Sequence, residues 1–184
     1  VRWKRTMIRP GGIFKKDVRK HLRRFLPLKN GGIYISLEGK IMKIQQISVF
    51  LENRKGQLAE ITHLLAENGV DLRAISIAET TDYGLARMIV DDSAKASSIL
   101  LEKGNILSLN PVWAIRVPDR PAGLSELLMK LADNGVDIEY MYSLFAHKGE
   151  YAYMVIQTAD EEALKGALEG SDIKVIGMEE LGLK

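Results

Sequence analysis

The sequence predicts the α+β class: two tandem βαββαβ units, each an antiparallel sheet carrying helices on one face. Three observations predict it. First, Ala66-Glu67-Asn68-Gly69-Val70-Asp71-Leu72 returns 66 residues later as Ala132-Asp133-Asn134-Gly135-Val136-Asp137-Ile138. At that same offset Arg54, Leu58, Glu60, Leu65, Ala86 and Met88 return as Arg120, Leu124, Glu126, Leu131, Ala152 and Met154, so a folding unit is duplicated. Second, apolar residues alternate in short β-branched runs and recur at helical spacing between them. Third, each first helix stops at an Asn-Gly pair, with glycine supplying the left-handed residue past the helix end and valine covering the last turn.

Taken in order, Lys43 to Leu51 carries Ile44, Ile47, Val49 and Leu51 in near alternation and reads as a strand. Glu52-Asn53-Arg54-Lys55-Gly56 is a polar loop ending in glycine. Leu58, Ile61 and Leu65 then fall on one helix face, and Leu124, Leu127, Leu128 and Leu131 draw the same stripe in the second copy. Leu72 to Glu79 and Leu85 to Asp91 read as strands around a turn at residues 80–84. Ser93 to Lys103 is a helix capped by Asp92 or Ser93, and Ile106 to Leu109 a short last strand.

The second copy repeats the order. Pro111 to Val117 is a strand and Ala122 to Asn134 a helix; Asp137 to Ala146 and Tyr151 to Thr158 form a hairpin around Lys148-Gly149. Asp160 to Leu168 is a helix, and Ile173 to Ile176 closes the unit. Both copies are ferredoxin-like. The expected division is a leader, 1–41, then domains at 42–110 and 111–184. A unit of about 70 residues hides only about 60% of its chain surface and leaves strand edges unpaired. The two copies are therefore expected to pack together and the chain to dimerise, with a continuous sheet across at least one boundary.

Composition narrows the chemistry. The chain has 184 residues, 46% of them apolar, and no cysteine, which excludes disulfides, thiolate metal sites and thiol nucleophiles. His21, His63 and His147 share no spacing, so no metal site, catalytic base or cofactor is expected. No apolar run approaches the length of a membrane span, and the expected location is the cytoplasm. The net charge of +2 conceals an asymmetry. Residues 1–41 hold 12 of the 26 Lys+Arg against Asp17 and Glu38, leaving 14 basic and 22 acidic residues for the duplicated part.

The leader has two open readings. Lys15-Lys16, Arg19-Lys20 and Arg23-Arg24 around Val18, Leu22, Phe25 and Leu26 describe a basic amphipathic helix suited to nucleic acid or an anionic membrane surface; a transit peptide fits less well because Ser and Thr are nearly absent. Alternatively the segment is not native protein: the chain opens with Val1, Met42 precedes the first repeat strand, and Glu38-Gly39 could be encoded by a ribosome-binding stretch upstream of it.

The loop from first strand to first helix reads Asn53-Arg54-Lys55-Gly56-Gln57-Leu58 in one copy and Asp119-Arg120-Pro121-Ala122-Gly123-Leu124 in the other. Both resemble the Asp-Arg-Pro-Gly-x-Leu signature of ACT domains, small modules that sense amino acids. The following helix, Asn-Gly-Val-Asp and strand resemble that family too, over residues 43–184. The first copy has Lys55 where the family favours proline; the second has Ala122 at the glycine position, with Gly123 one place late. The resemblance is to stand-alone tandem ACT proteins and implies a non-catalytic regulator of amino-acid metabolism, a homodimer, acting on an amino-acid biosynthetic enzyme or as its regulatory subunit.

Chemistry supports that expectation at this loop. The first turn of a helix leaves backbone N–H groups without partners, and their partial positive charge attracts an anion. The donors around Gly56-Gln57-Leu58 and Ala122-Gly123-Leu124 suit an α-carboxylate, with Asn53, Asp71, Asp119 or Asp137 accepting from the ammonium. The helix-terminus contribution is about 0.3–1 kcal/mol when exposed and about 2 kcal/mol when partly buried, so closure by the neighbouring copy is expected. The competing expectations are that the glycines only make tight turns, that Asp71 and Asp137 only start strands, and that Arg54 and Arg120 pair with surface acids. An enzyme is not expected: no nucleophile–base pair, phosphate loop or metal spacing is present. An RNA-recognition module shares the βαββαβ order, but it stacks bases on aromatic residues of central strands. Here those strands, Ala86 to Val90 and Ala152 to Ile156, offer only Tyr153.

Overall fold

The computed structural model describes residues 43–52, 54–79 and 83–184. The leader, Met42, Asn53 and residues 80–82 lie outside the described residues, and with them the readings placed there, the turn between the second and third strands included. The chain forms β1 (Ile44–Leu51), α1 (Gln57–Glu67), β2 (Leu72–Glu79), β3 (Gly84–Val90), α2 (Ser93–Glu102), β4 (Leu107–Pro118), α3 (Gly123–Asp133), β5 (Tyr140–Lys148), β6 (Tyr151–Gln157), α4 (Glu161–Leu168) and β7 (Lys174–Ile176). This is the α+β order expected, two βαββαβ units.

The strands follow the path β2-β3-β1-β4-β6-β5, with β7 also paired to β4. The two short strands expected at Ile106–Leu109 and Pro111–Val117 are one strand, β4, which serves both repeats. Its first half pairs antiparallel with β1, Leu107 opposite Val49 through Val112 opposite Ile44. Its second half pairs with β6 from Trp113 to Pro118, and with β7 at Ala114–Arg116. Asn110-Pro111 looks like a break in sequence. Up to Val112, however, β4 has a strand partner on one side only among the described residues, and a residue without an N–H is tolerated along such an edge.

Each repeat buries its helices against one sheet face. Ile47, Val49, Ile61, Leu65, Met88 and Leu100 form the first helix-side core; Trp113, Ile115, Leu127, Leu131, Ile156 and Leu164 form the second. The stripe read from sequence holds at Ile61, Leu65, Leu127 and Leu131 and differs at its first member. α1 buries Gln57, Ile61 and Leu65, and α3 buries Gly123, Leu127 and Leu131. Leu58 and Leu124 stand 36% and 43% exposed. The Asn-Gly stops form as expected: Gly69 and Gly135 are left-handed. Val70 and Val136 donate back to Leu65 and Leu131 at 3.0 and 2.9 Å and bury their side chains over the helix ends. Asp92 caps α2 by accepting from Lys95 N–H at 2.9 Å.

The opposite faces of the two half-sheets share a third core: Ile44, Ala74, Ile89 and Val112 from the first, Ala114, Leu144, Tyr153, Val155 and Ile176 from the second, with Leu181 of the C-terminal tail. The sheet therefore curls over on itself, and its end strands β2 and β5 approach within 8 Å. The tail is fixed there by Lys184 N–H donating to Asp91 O at 2.7 Å and by Arg116 pairing with Glu180 at 3.1 Å. The face on which an RNA-recognition module would stack bases is occupied by this core, Tyr153 included at 3% exposure. Lys43, beside β1, forms an ion pair with Glu161 of α4 and sits over Trp113, adding a second tie between repeats.

Candidate functional site

The two strand-to-helix corners are built to one plan. In the first, β1 ends at Leu51 and the chain turns through Arg54, Lys55 and Gly56 into α1. Gly56 is left-handed with φ 85°, and Glu60 N–H donates to its carbonyl at 2.9 Å. In the second, β4 ends at Pro118 and the chain turns through Asp119, Arg120, Pro121 and Ala122 into α3. Ala122 takes the same left-handed conformation, φ 73°, and Glu126 N–H donates to its carbonyl at 2.8 Å. Among the described residues neither helix start is capped by a side chain.

Each arginine grips the first turn of its helix through a two-pronged bond. Arg54 reaches Glu60 at 2.6 and 2.5 Å, and Arg120 reaches Glu126 at 2.8 Å through both nitrogens. Donation from Arg54 holds the Glu60 carboxyl below its ordinary range and raises Arg54; donation to Glu126 raises Arg120. These pairs are exposed, so they shape the corner more than they stabilise the fold.

Beyond that plan the corners diverge. In the first, Gln57 opens α1 and is 9% exposed, with Oε1 buried and unpartnered among the described residues. In the second, Gly123 holds that position because nothing larger fits: a Cβ there would lie 2.1 Å from the Pro118 carbonyl oxygen. The glycine displaced by one position is therefore a packing requirement, and Ala122 takes the left-handed place at the cost of about 1–2 kcal/mol. Beside this corner lies a cavity of about 270 Å³ lined by Pro118, Arg120, Glu126, Lys130 and the 170–173 loop, all from the second repeat. The cavity and the orphaned acceptor thus belong to different corners. The acceptor is the stronger pointer to a ligand, because a buried polar atom without a partner costs about 1–3 kcal/mol, whereas a cavity with a solvated charged rim costs nothing to leave open.

The expected site residues are not all brought together. Lys55, Leu58, Pro121 and Leu124 are exposed at their corners. Asp119 N–H donates to Glu150 O at 2.7 Å. Asp71 and Asp137 stand at the other end of the strands from their own corners: Leu72 pairs with Val90, while the first corner is level with Gly84. Asp71 N–H donates to the Asp91 carboxylate at 2.8 Å, and Asp137 N–H to Asp160 at 3.0 Å, so both tie loops together. The corners themselves lie at opposite ends of β4, because β1 runs antiparallel to it. Among the described residues no group of three His, Asp or Glu side chains is placed to hold a metal ion, and no helix is long and apolar enough to cross a membrane.

Sequence reasoning missed the polar cluster inside the curled sheet. Gln46 is fully buried; its Nε2 donates to Ser48 Oγ at 2.9 Å and Tyr140 Oη at 3.0 Å, and its Oε1 accepts from Tyr142 Oη at 2.8 Å. Burial pushes both tyrosine hydroxyls up, so they stay protonated. The available signal was Gln46-x-Ser48 within an apolar strand, against tyrosines at strand spacing.

Two duplicated βαββαβ units sharing a strand, each with an arginine-locked corner at a helix start, define a tandem pair of ferredoxin-like modules. The profile of the ACT domain pair family matches residues 42–182, and the chain belongs to that family. A crystal structure of a protein from Bacteroides thetaiotaomicron is 33% identical, covering 77% of this chain and 97% of that one with a TM-score of 0.69. The ligand-free regulatory subunit of aspartate kinase from Thermus thermophilus shares the fold at 19% identity, covering 68% of this chain and 91% of that one with a TM-score of 0.52. No curated protein sequence matches the chain.

Proposed function

We propose that this chain is a non-catalytic regulator that binds a small amino acid at the strand-to-helix corner of its first repeat and is closed there by a second copy of the chain. The observation that carries the reading is the buried, unpartnered Oε1 of Gln57, beside left-handed Gly56 at the mouth of α1. An α-ammonium would donate to that oxygen while the α-carboxylate lies against the first-turn amides, a pairing the second corner lacks because Gly123 has no side chain. Arg54, Lys55 and Leu58 border the first corner; Asp119, Arg120, Pro121, Ala122, Gly123 and Leu124 form a second, weaker one. Asp71 and Asp137 are assigned loop-holding roles. Membership of the ACT family supports cytoplasmic amino-acid metabolism as the setting, with a biosynthetic enzyme as the regulated partner.

The ligand acts by preferring one arrangement of the repeats or of two chains; without such a preference it shifts nothing. The test is a thermal-shift screen of the twenty amino acids on the full chain, followed by calorimetry on Gly56→Leu, Gln57→Leu and Asp119→Ala. Binding weakened by the first two and little changed by the third is expected. If no amino acid stabilises the protein at millimolar concentration, the sensor reading fails. Sedimentation equilibrium showing a monomer at every concentration would remove the second copy from it.

A further inference from the structure

A second site, separate from both corners, is drawn by the cations of the curled sheet. Arg87 of β3 is half-buried on the face that looks across to the second repeat. Its guanidinium lies 4.0 Å from the centre of the Tyr140 ring, and no carboxylate pairs with it among the described residues. Ser48 and Ser76 stand directly opposite Arg87 on its two neighbouring strands. Residues so placed share a face with Cβ atoms about 4.5–5.5 Å apart. Asn110, two strands away, accepts from both Ser48 and Ser108 through Oδ1, at 3.2 and 3.0 Å. The surroundings of Arg87 are thus neutral hydroxyls and amides. A half-buried guanidinium, whose planar fork suits two oxygens at once, has Tyr140, through its ring and its hydroxyl, in place of a carboxylate.

An acceptor faces the same aromatic residue. Gln157 stands directly opposite Tyr140 on β6, and its Oε1 is buried without a hydrogen-bond partner among the described residues. Tyr140 is held by Gln46, so the ring that orients Arg87 is itself fixed. A cation with no carboxylate partner among the described residues and an acceptor without a donor, against a shared, fixed ring, ask for a ligand with a carboxylate and an adjacent N–H or O–H.

We propose that Arg87, Ser48, Ser76, Tyr140 and Gln157 form a binding site for a small α-hydroxy or α-amino carboxylate between the two repeats. The carboxylate lies on the Arg87 fork and the Ser76 hydroxyl, with Ser48 lining the site, and the neighbouring donor meets Gln157. Because the residues come from β1, β2 and β3 of one repeat and β5 and β6 of the other, occupancy favours the closed arrangement of the pair. The site does not depend on the corner being a sensor.

The test uses the full chain with glycolate, glycine and acetate at matched ionic strength. Glycolate or glycine at about ten times its Kd raises Tm by about 3–5 °C, and acetate by less, since it lacks the donor. A glycolate response alone assigns a hydroxy acid and a glycine response alone an amino acid; no response to either, or equal responses to all three, overturns the proposal. Arg87→Lys keeps the charge and removes the fork, and weakens the responding ligand about tenfold or more; unchanged affinity in a variant folded by circular dichroism overturns it. Should Arg87→Lys not fold, Gln157→Leu must abolish the advantage over acetate. Loss of the response in Gly56→Leu but not in Arg87→Lys would assign the effect to the corner and end the proposal, while leaving the sensor reading intact.

Discussion

Replacing Gly123 by alanine tests how the second corner is built. The new Cβ would fall 2.1 Å from the Pro118 carbonyl oxygen and 3.2 Å from its carbon. A relaxed carbon–oxygen approach is about 3.3–3.6 Å, so more than an ångström must open. The obstacle is main chain, held by pairing of Pro118 with Tyr151 and by Asp119 N–H donating to Glu150. Over-packing costs about 1–3 kcal/mol where neighbours can give way; with backbone as the neighbour we expect about 3 kcal/mol, or a Tm lower by about 6–12 °C in a chain of this size.

Ala122→Gly acts in the opposite sense. The left-handed conformation costs alanine about 1–2 kcal/mol, and glycine forfeits about 0.5–1 kcal/mol more entropy on folding, for a net gain of about 0.5–1 kcal/mol. The double variant Ala122→Gly/Gly123→Ala restores the glycine-first order of the first copy. It should stay about 2 kcal/mol less stable than the natural chain, because the clash with Pro118 outlasts the relieved strain, within the non-additivity of adjacent sites. Urea and thermal unfolding followed by far-UV circular dichroism measure all three. Full recovery in the double variant, or a change below about 0.5 kcal/mol in Gly123→Ala, would refute the reasoning from close approach.

Three further outcomes are expected. Gln46→Ala strands the Tyr140 and Tyr142 hydroxyls inside the curled sheet and costs about 2–4 kcal/mol in urea unfolding, at about 1–3 kcal/mol per orphaned group; a loss below about 1 kcal/mol would mean water replaces the glutamine. Leu65→Ala and Leu131→Ala, at matching fully buried positions, each cost about 2–5 kcal/mol in a single unfolding transition; two resolved transitions in either variant would show that the repeats unfold separately. The Glu60 carboxyl, lowered from its ordinary 4.5 by Arg54, stabilises the fold above that value and loses the contribution as pH falls through its lowered folded pKa. Glu60→Gln is therefore slightly less stable at neutral pH and equal in strong acid; a difference that grows toward acid contradicts the sign.

The fold was legible because each device that shapes it is local. Asn68-Gly69-Val70 and Asn134-Gly135-Val136 stop their helices by geometry any sequence window contains, and the 66-residue offset aligns them. What stayed hidden depends on residues far apart in the chain. Asn110-Pro111 reads as a break until β1 and β6 are seen to take different halves of β4. Leu58 and Leu124 fit an apolar stripe, yet Gln57 and Gly123 occupy it, since the turn of each corner sets the helix rotation. Asp71 and Asp137 adjoin the corners in motif order but lie across the sheet from them, because a helix returns the chain to the opposite end. Nothing local marks Arg87 as facing Tyr140.

The divergence of the corners bears on how such a protein would signal. Duplication supplies two equal sites, but here one retains a buried acceptor while the other fills the equivalent space with its own backbone. A chain with both corners open would bind two ligands with no internal reference. With the second corner packed, its arginine-locked loop and strained Ala122 form a rigid end to β4, against which movement at the first corner is expressed. The shared strand makes the link mechanical: β1, which ends at the first corner, pairs with the half of β4 that continues into the second repeat. A ligand drawing the first corner closed must therefore strain either the β1–β4 ladder or the polar contacts of Gln46 with Tyr140 and Tyr142 that bridge the repeats. The ladder is continuous backbone pairing and the bridge is a few side chains, so the bridge yields first. Hydrogen exchange that changes on amino-acid binding along β5, and not along β1, would show the bridge to be the moving part.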